Sequence, residues 1–270
     1  MKKEYLIISA LIILVSYNSF SQMIDIDYSG KPRIKTLAYG DTIKRPVEQQ
    51  FEILGRGFID FFSNGKMQGT AQLLKLNIGE PNGFYVPLYI LVGSSGDGIG
   101  MQKKNENTIA NLLNPIGGII NGAINGRNNL YASKSGITSL KLSYQLSVKL
   151  INAQDSATGN SKFLGAGYGN LGLFFQTGAW DQDDKGNMGV FWIQAKATAS
   201  YAFDDASYKK VLGNNFSESY FVGYAIDLGI EINNRINLKA GLYQYLNNQK
   251  LDLVEKPVFK FSLDYNLKKK

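Results

Sequence analysis

Alternating apolar and polar residues dominate the chain from Gly65 onward. Between positions 137 and 151, every even position from Leu140 to Leu150 is apolar, while Ser, Lys and Gln occupy the positions between them. Comparable runs cover 219–233 and 257–267, and weaker ones cover 68–79, 84–93, 163–177, 188–203 and 236–247. A period of two is typical of β-strands with one apolar face, and the pattern predicts about eight of them.

The length of these runs distinguishes between two kinds of β-protein. Strands of soluble domains usually have about 5–6 residues, whereas these runs extend over roughly 11–17, enough to cross a membrane core that needs about 9–11 tilted residues. Their polar faces carry mainly Ser, Gly, Gln and Ala with isolated charges. We predict an all-β fold, an antiparallel up-and-down transmembrane β-barrel of about 8–10 strands. The alternative is a soluble periplasmic or secreted β-sandwich or barrel that binds an apolar or glycan ligand.

The N-terminal part follows a secretory plan. Lys2 and Lys3 precede the apolar stretch Leu6–Val15, and Ser19-Phe20-Ser21 offers a small-residue cleavage site. Residues 1–21 are therefore predicted to be a signal peptide of an exported protein. Residues 22–64 form a polar segment of uncertain structure, in which the apolar stretch 51–63 fits either a helix or a strand. We place the barrel at residues 65–270.

Composition narrows the possible chemistry. The 270 residues include no Cys and no His, which excludes disulfide scaffolds, zinc fingers, Cys nucleophiles and His-assisted serine hydrolysis. We expect no enzymatic activity, no cofactor and no metal site. The 29 Lys and Arg against 22 Asp and Glu give a net charge of +7, which suits anionic lipid head groups or lipopolysaccharide phosphates. Nucleic acid is not an expected partner of an exported chain.

A long insertion at residues 94–136 contains the one helical pattern. Apolar residues recur there at spacings of three and four, and small residues form a ridge at a spacing of four. The apolar set includes Ile109, Leu112, Leu113, Ile116 and Ile120, and the small set is Gly118, Gly122 and Gly126. The pattern predicts a short amphipathic helix, kinked near Pro115. We expect it to pack on the barrel rim, with a plug or a partner-docking helix as alternatives.

The alternation also predicts which charged residues point into the barrel. The cations of this set are Lys141, Lys149, Lys196, Lys239 and Lys260, and the anions are Asp227, Glu231 and Asp264. Eight strands enclose just enough room for side chains, so in such a barrel these charges would pair across the lumen. A wider barrel would leave a narrow channel with a weak preference for anions.

The sequence resembles the outer-membrane β-barrels of the Bacteroidota at two places. The Ser21-Gln22 junction resembles the signal-peptide ends of their exported proteins, and the strand KPVFKFSLDYNL (256–267) resembles a terminal barrel strand, although Lys268 to Lys270 follow it in place of a terminal aromatic residue. The resemblance implies a cell outer-membrane location, contact with outer-membrane lipids and with the barrel-insertion machinery, and a structural, adhesive or narrow-transport role. It implies no particular transported molecule or protein partner.

Overall fold

A computed structural model describes eleven stretches of the chain. They are residues 25–26, 32–33, 51–62, 67–78, 84–95, 108–132, 138–154, 160–177, 189–232, 236–247 and 251–267. The strands are β1 (Asp25–Ile26), β2 (Pro32–Arg33), β3 (Phe51–Phe62), β4 (Met67–Ile78), β5 (Phe84–Ser95), β6 (Ile120–Ala132), β7 (Ser139–Gln154), β8 (Ser161–Thr177), β9 (Gly189–Ala202), β10 (Tyr220–Ile232), β11 (Ile236–Tyr245) and β12 (Val258–Asn266). The helices are α1 (108–113), α2 (Asp205–Leu212) and α3 (Asp252–Glu255), and a 3₁₀ turn covers Gly213–Asn215.

Ten of these strands close into one antiparallel barrel. Each strand from β3 to β11 pairs with the next one along the chain, and β12 pairs with β3, from Lys260 opposite Phe62 to Asn266 opposite Arg56. Strands β1 and β2 pair only with each other. The predicted all-β barrel with a short helix in a long loop is therefore confirmed, with ten strands in the wall.

Two wall strands were not among the eight clear runs of the sequence. Strand β3 has a bulge, with Leu54 at φ 49° and a register shift between Ile53 and Arg56, and a bulge interrupts alternation because it inserts an extra residue. Strand β6 occupies part of the insertion. The barrel thus begins at Phe51, which corrects the boundary at residue 65, and the insertion between β5 and β6 shrinks to 96–119. The predicted signal peptide lies outside the described residues.

The two ends of the barrel differ. The three helices that the structure describes lie in connections at one end, here called the helix end: α1 between β5 and β6, α2 between β9 and β10, and α3 between β11 and β12. Strand β3 begins and β12 ends at the opposite end, which also contains the connections 79–83, 133–138, 178–188 and 233–235. None of the described helices is long and apolar enough to cross a membrane.

Outside the bulges, side chains alternate between the two faces of the wall. In β10, Phe221, Ala225 and Asp227 are buried, whereas Tyr224 and Ile226 are exposed. The same alternation leaves large apolar side chains exposed around the outside of the barrel. They include Ile59, Phe61, Leu73, Leu76, Val92, Ile120, Ile124, Leu146, Val148, Phe163, Leu171, Leu173, Ile193, Val222, Leu228, Leu238, Phe259 and Phe261.

An apolar cluster fills the barrel mouth at the helix end. Its members come from the three helices and from the last inward residues of the strands, and include Ile109, Leu112, Leu113, Ile151, Leu164, Tyr208, Val211, Phe216, Phe221, Leu251 and Val254. The rings of Tyr208 and Phe216 stack with centroids 5.6 Å apart. Asp204 caps α2 by accepting a hydrogen bond from the backbone N–H of Ser207 at 3.1 Å. Hydrogen bonds from Ser207 to the carboxylate lower the pKa of Asp204.

Close packing of an inward glycine generates the first prediction. A Cβ at Gly229 would lie 2.4 Å from Cζ2 of Trp192 and 2.8 Å from the carbonyl oxygen of Leu238. We expect Gly229→Ala to cost about 1–3 kcal/mol through overpacking and to lower the Tm by about 2–10 °C. Circular dichroism during heating measures this. Gly122→Ala is the control, because nothing lies within 4 Å of a Cβ there; an equal loss of Tm in both variants would contradict the packing argument.

Candidate functional site

The first half of the site is a segment that enters the barrel lumen. Residues 108–119, here called the plug, comprise α1 and the turn that follows it. Thr108 and Leu112 are buried, and hydrogen bonds reach the plug from strands on opposite sides of the wall: β3, β4, β6, β7, β11 and β12. This corrects the expectation that the helix packs on the rim. Its apolar face requires a dry surface, which the apolar cluster at the helix end provides.

Lys149 of β7 holds the end of α1. Its Nζ donates hydrogen bonds to the carbonyl oxygens of Leu112 at 2.8 Å, Asn114 at 2.6 Å and Asn111 at 3.2 Å. The last carbonyl groups of a helix have no partners within the helix, so a lysine at this position satisfies them and complements their partial negative charge. The ammonium also lies 4.7 Å from the ring centroid of Tyr168. Lys149 is only 2% exposed.

Asn114 connects the plug to the opposite wall. Its Nδ2 donates to Oδ2 of Asp60 at 2.9 Å and to Oε1 of Gln68 at 3.0 Å, and its Oδ1 accepts from Nζ of Lys260 at 3.3 Å. Asp60 also forms an ion pair with Lys260 at 3.5 Å and accepts from the Ser262 hydroxyl at 2.5 Å. One side chain of the plug is therefore inserted into a buried acid–base pair of the wall.

The turn after α1 is fixed by backbone contacts. The carbonyl oxygen of Pro115 accepts hydrogen bonds from the side-chain amides of Asn121 and Gln145, both at 2.9 Å. Gly118 has φ +99°, a region that favours glycine, and a Cβ there would lie 3.0 Å from the carbonyl oxygen of Leu150. Gly118 therefore allows the chain to pass from the lumen into β6 in direct contact with β7.

A second group of charges belongs to the wall alone. Lys196 and Asp227 form an ion pair at 2.6 Å, and the Tyr243 hydroxyl donates to the other oxygen of Asp227 at 2.8 Å. Lys239 lies within electrostatic range of Asp227 and Asp264. Because buried ions need both a partner of opposite charge and further hydrogen bonds, this group is a cooperative unit of the lumen.

The lumen is more open towards the end opposite the helices. There the Arg127 guanidinium stacks at 4.0 Å on the ring of Phe174, which stacks at 5.4 Å on Trp192. Arg127 remains exposed despite its inward position. Lys141 donates a hydrogen bond to Oε1 of Gln176 at 3.4 Å. Glu231 is half-buried and is the second-last residue of β10. This part of the lumen is a positively charged vestibule.

The structure places the predicted lumen residues on the inner face of the wall. All eight occupy inward strand positions: Lys141, Lys149, Lys196, Lys239 and Lys260, with Asp227, Glu231 and Asp264. Arg56, Asp60 and Arg127 were missed, because β3 was not assigned and β6 was assigned to a helix. Lys75 was missed because the register shift between Gln72 and Leu74 of β4 changes which positions point inward. Strict alternation from Gly57 to Phe62 beyond the bulge is the signal that could have identified Asp60 as inward.

The predicted helix residues separate into two groups. Ile109, Leu112, Leu113, Ile116 and Gly118 lie in the plug. Ile120, Gly122 and Gly126 lie in β6, where Ile120 is 45% exposed on the outer face, so the proposed ridge of three glycines along one helix is wrong. A spacing of four fits a strand as well as a helix, since four is a multiple of two.

The described residues of the plug and the wall leave a small cavity between them. A cavity of about 30 Å³ lies between the plug and the wall, lined by Phe62, Ala110, Leu113, Asn114, Pro115, Tyr243, Tyr245, Val258 and Lys260. It has room for water but not for an organic ligand. Within the described residues, no cluster of three acidic side chains could hold a metal ion.

Comparisons with known proteins give likenesses among solved structures. No protein-family model matches the sequence, and no curated protein matches it. The chain is similar to a solved structure of the NanC porin in a rhombohedral crystal form, with 10% identity and a TM-score of 0.31, covering 79% of this chain and 100% of that one. At this level of similarity, function has to be argued from the barrel's own residues.

The contacts of Lys149 generate the second prediction. In Lys149→Met, three carbonyl oxygens lose a charged donor worth about 1.5–3 kcal/mol per hydrogen bond. We expect the amide protons of residues 108–119 to exchange with solvent about 10- to 100-fold faster, as measured by hydrogen-exchange mass spectrometry. Lys209→Met is the control, since Lys209 forms only an exposed ion pair with Asp205. Unchanged protection of the plug in Lys149→Met would contradict the assigned role.

Proposed function

We propose that the chain is a small integral β-barrel of the cell outer membrane, of the Bacteroidota type, with a non-enzymatic role. The observation that carries this proposal is the continuous apolar belt on the outer face of a closed wall. Leu146 and Val148 are more than half exposed, and every barrel strand contributes apolar residues to the same face. Monomeric soluble proteins rarely expose apolar patches of this extent, because contact with water disfavours them.

The inner face supports the same conclusion. A soluble barrel buries apolar residues inside and turns charges outward, whereas here Asp60, Lys149, Lys196, Asp227 and Lys260 are buried inside. Closure by β12 and β3 leaves no strand edge, as a hydrocarbon environment requires of any spanning sheet. The strands of 9 to 17 residues are long enough to cross. These features disfavour the soluble ligand-binding alternative.

Orientation follows from the connections. Outer-membrane barrels have short turns on the periplasmic side and longer loops outside, so the helix end would face the exterior and the end where β3 begins would face the periplasm. The outer belt would contact lipid hydrocarbon, and basic residues beyond it would contact anionic head groups, including lipopolysaccharide phosphates. The barrel-insertion machinery would be a transient partner during assembly.

The role within the membrane is that of a barrel with a closed lumen. The plug and the apolar cluster occupy the helix end. Among the described residues, the buried carboxylates of Asp60 and Asp227 are engaged by lysine, asparagine and serine, which supports a non-enzymatic role. Structural, adhesive or narrow-transport roles are compatible with this arrangement.

A matched pair of arginine substitutions tests the membrane location. Leu146→Arg places a charge on the belt, at a cost of about 2–4 kcal/mol near the bilayer midplane. Ala206→Arg places the same charge on the exposed side of α2, outside the wall. We expect Leu146→Arg to reduce the heat-modifiable, folded barrel in outer-membrane fractions, while Ala206→Arg accumulates normally. Equal accumulation of both, or recovery of the unaltered protein in the soluble periplasm, would reject the proposal.

A further inference from the structure

Polar side chains line the lumen, although the plug closes it. Several buried polar atoms of its wall find no hydrogen-bond partner among the described residues: Thr70 Oγ1, Gln72 Nε2, Asn121 Oδ1, Asn125 Oδ1, Ser147 Oγ, Ser200 Oγ and Asp264 Oδ1. Leaving such a group unpaired costs about 1–3 kcal/mol. These atoms are buried in the closed barrel, so only water that enters an opened lumen would satisfy them. The wall is therefore suited to a hydrated passage.

What closes this passage at the helix end is the plug. The backbone pairing of the wall does not include it, because all ten strands pair with one another without any backbone hydrogen bond from residues 108–118. Ile119 is the first residue that bonds to the wall backbone, through Leu150 at 2.7 Å and Leu91 at 3.0 Å. Residues 108–118 can therefore leave the lumen without breaking a wall strand.

The contacts that would be lost are also unequal. Asp60 keeps Lys260 and Ser262 as wall partners when Asn114 leaves. Lys149, in contrast, donates all three of its hydrogen bonds to the plug, at 2.6–3.2 Å. Withdrawal of the plug would expose one unneutralised ammonium towards the helix end of the lumen.

The net charge of the opened lumen follows from the charged side chains that point inward. Among the inward side chains that the structure describes, the cations outnumber the anions. The cations are Arg56, Lys75, Arg127, Lys141, Lys149, Lys196, Lys239 and Lys260, and the anions are Asp60, Asp227, Glu231 and Asp264. Lys196 and Lys260 are paired with carboxylates, while Lys149 lies towards the helix end of the lumen and Arg127 towards the opposite end.

We propose that residues 108–118 are a gate, and that their withdrawal opens a narrow channel for small inorganic anions such as chloride. Lys149 has two functions in this scheme. It locks the closed state through the carbonyl groups at the end of α1, and it attracts the anion in the open state. The proposal rests on the membrane barrel proposed above and adds to it a transported class and a gate.

Planar lipid bilayers in a KCl gradient test the gate. The unaltered protein is expected to show few or no channel events. A variant in which a short Gly/Ser link replaces residues 108–117 should give stable conductance steps, with a reversal potential displaced towards that of chloride. Adding Lys149→Gln to this variant should lower the chloride-to-potassium permeability ratio by about twofold or more. Lys209→Gln in the same background is the matched control and should leave the ratio unchanged.

The readouts separate this proposal from the one on which it rests. Heat-modifiable mobility and insertion into liposomes report on the membrane barrel, and their absence in the unaltered protein would reject the barrel itself. A plugless barrel that inserts but is silent, or one that selects potassium, would overturn the anion gate. If the plugless variant does not fold, Lys149→Gln in the full chain replaces it: frequent openings support the lock, and silence in a folded, inserted barrel overturns it.

Discussion

Closure of the sheet by the pairing of β12 with β3 is the constraint on which the rest of the structure depends. A strand edge leaves a row of unpaired N–H and C=O groups, and the seven paired positions from Lys260 opposite Phe62 to Asn266 opposite Arg56 remove it. Once the sheet is closed, every residue of the wall faces either outward or into the lumen. The choice at one position determines the choice along the whole strand.

Ten strands then create a volume that the wall cannot fill alone. Barrel diameter grows with strand number, and eight strands already give an interior just wide enough for side chains. The chain supplies the missing material from the connection between β5 and β6, whose described part, residues 108–119, forms the plug. Its apolar face extends the cluster around Tyr208 and Val254, while its turn, with Asn114, meets the charged level of the wall. The apolar part of the plug therefore faces the apolar part of the lumen, and its polar turn faces the charged part.

The sequence predicts the fold better than the site, and the reasons are specific. Strands β7 and β10 alternate without interruption over 13 or more residues, so their faces could be assigned from the sequence. Strand β3 could not be identified from alternation, because the bulge at Leu54 shifts the order of apolar and polar residues. Strand β6 was taken as helical because Ile116, Ile120 and Ile124 recur at a spacing of four.

Within the site, the inward direction of the charged residues follows from alternation, but their partners do not. Lys196 and Asp227 lie 31 residues apart in sequence, and only the register of β9 and β10 brings them together. The partners of Lys149 are backbone carbonyl groups, which every residue has, so no sequence pattern could have predicted them. The position of the plug follows from these contacts and was therefore misassigned to the rim.

The different partners of Lys196 and Lys149 explain how the wall can stay intact while the plug leaves the lumen. Lys196 meets a carboxylate that carries a full charge, and both belong to the wall, so water competes poorly for either of them at this depth. Lys149 meets only partial charges on carbonyl groups, and hydration offers an ammonium nearly equivalent partners once water reaches it. Its contacts are strong only while the lumen around α1 is dry. The wall is thus held by pairs that persist when the lumen is wet, and the plug by contacts whose strength depends on the exclusion of water.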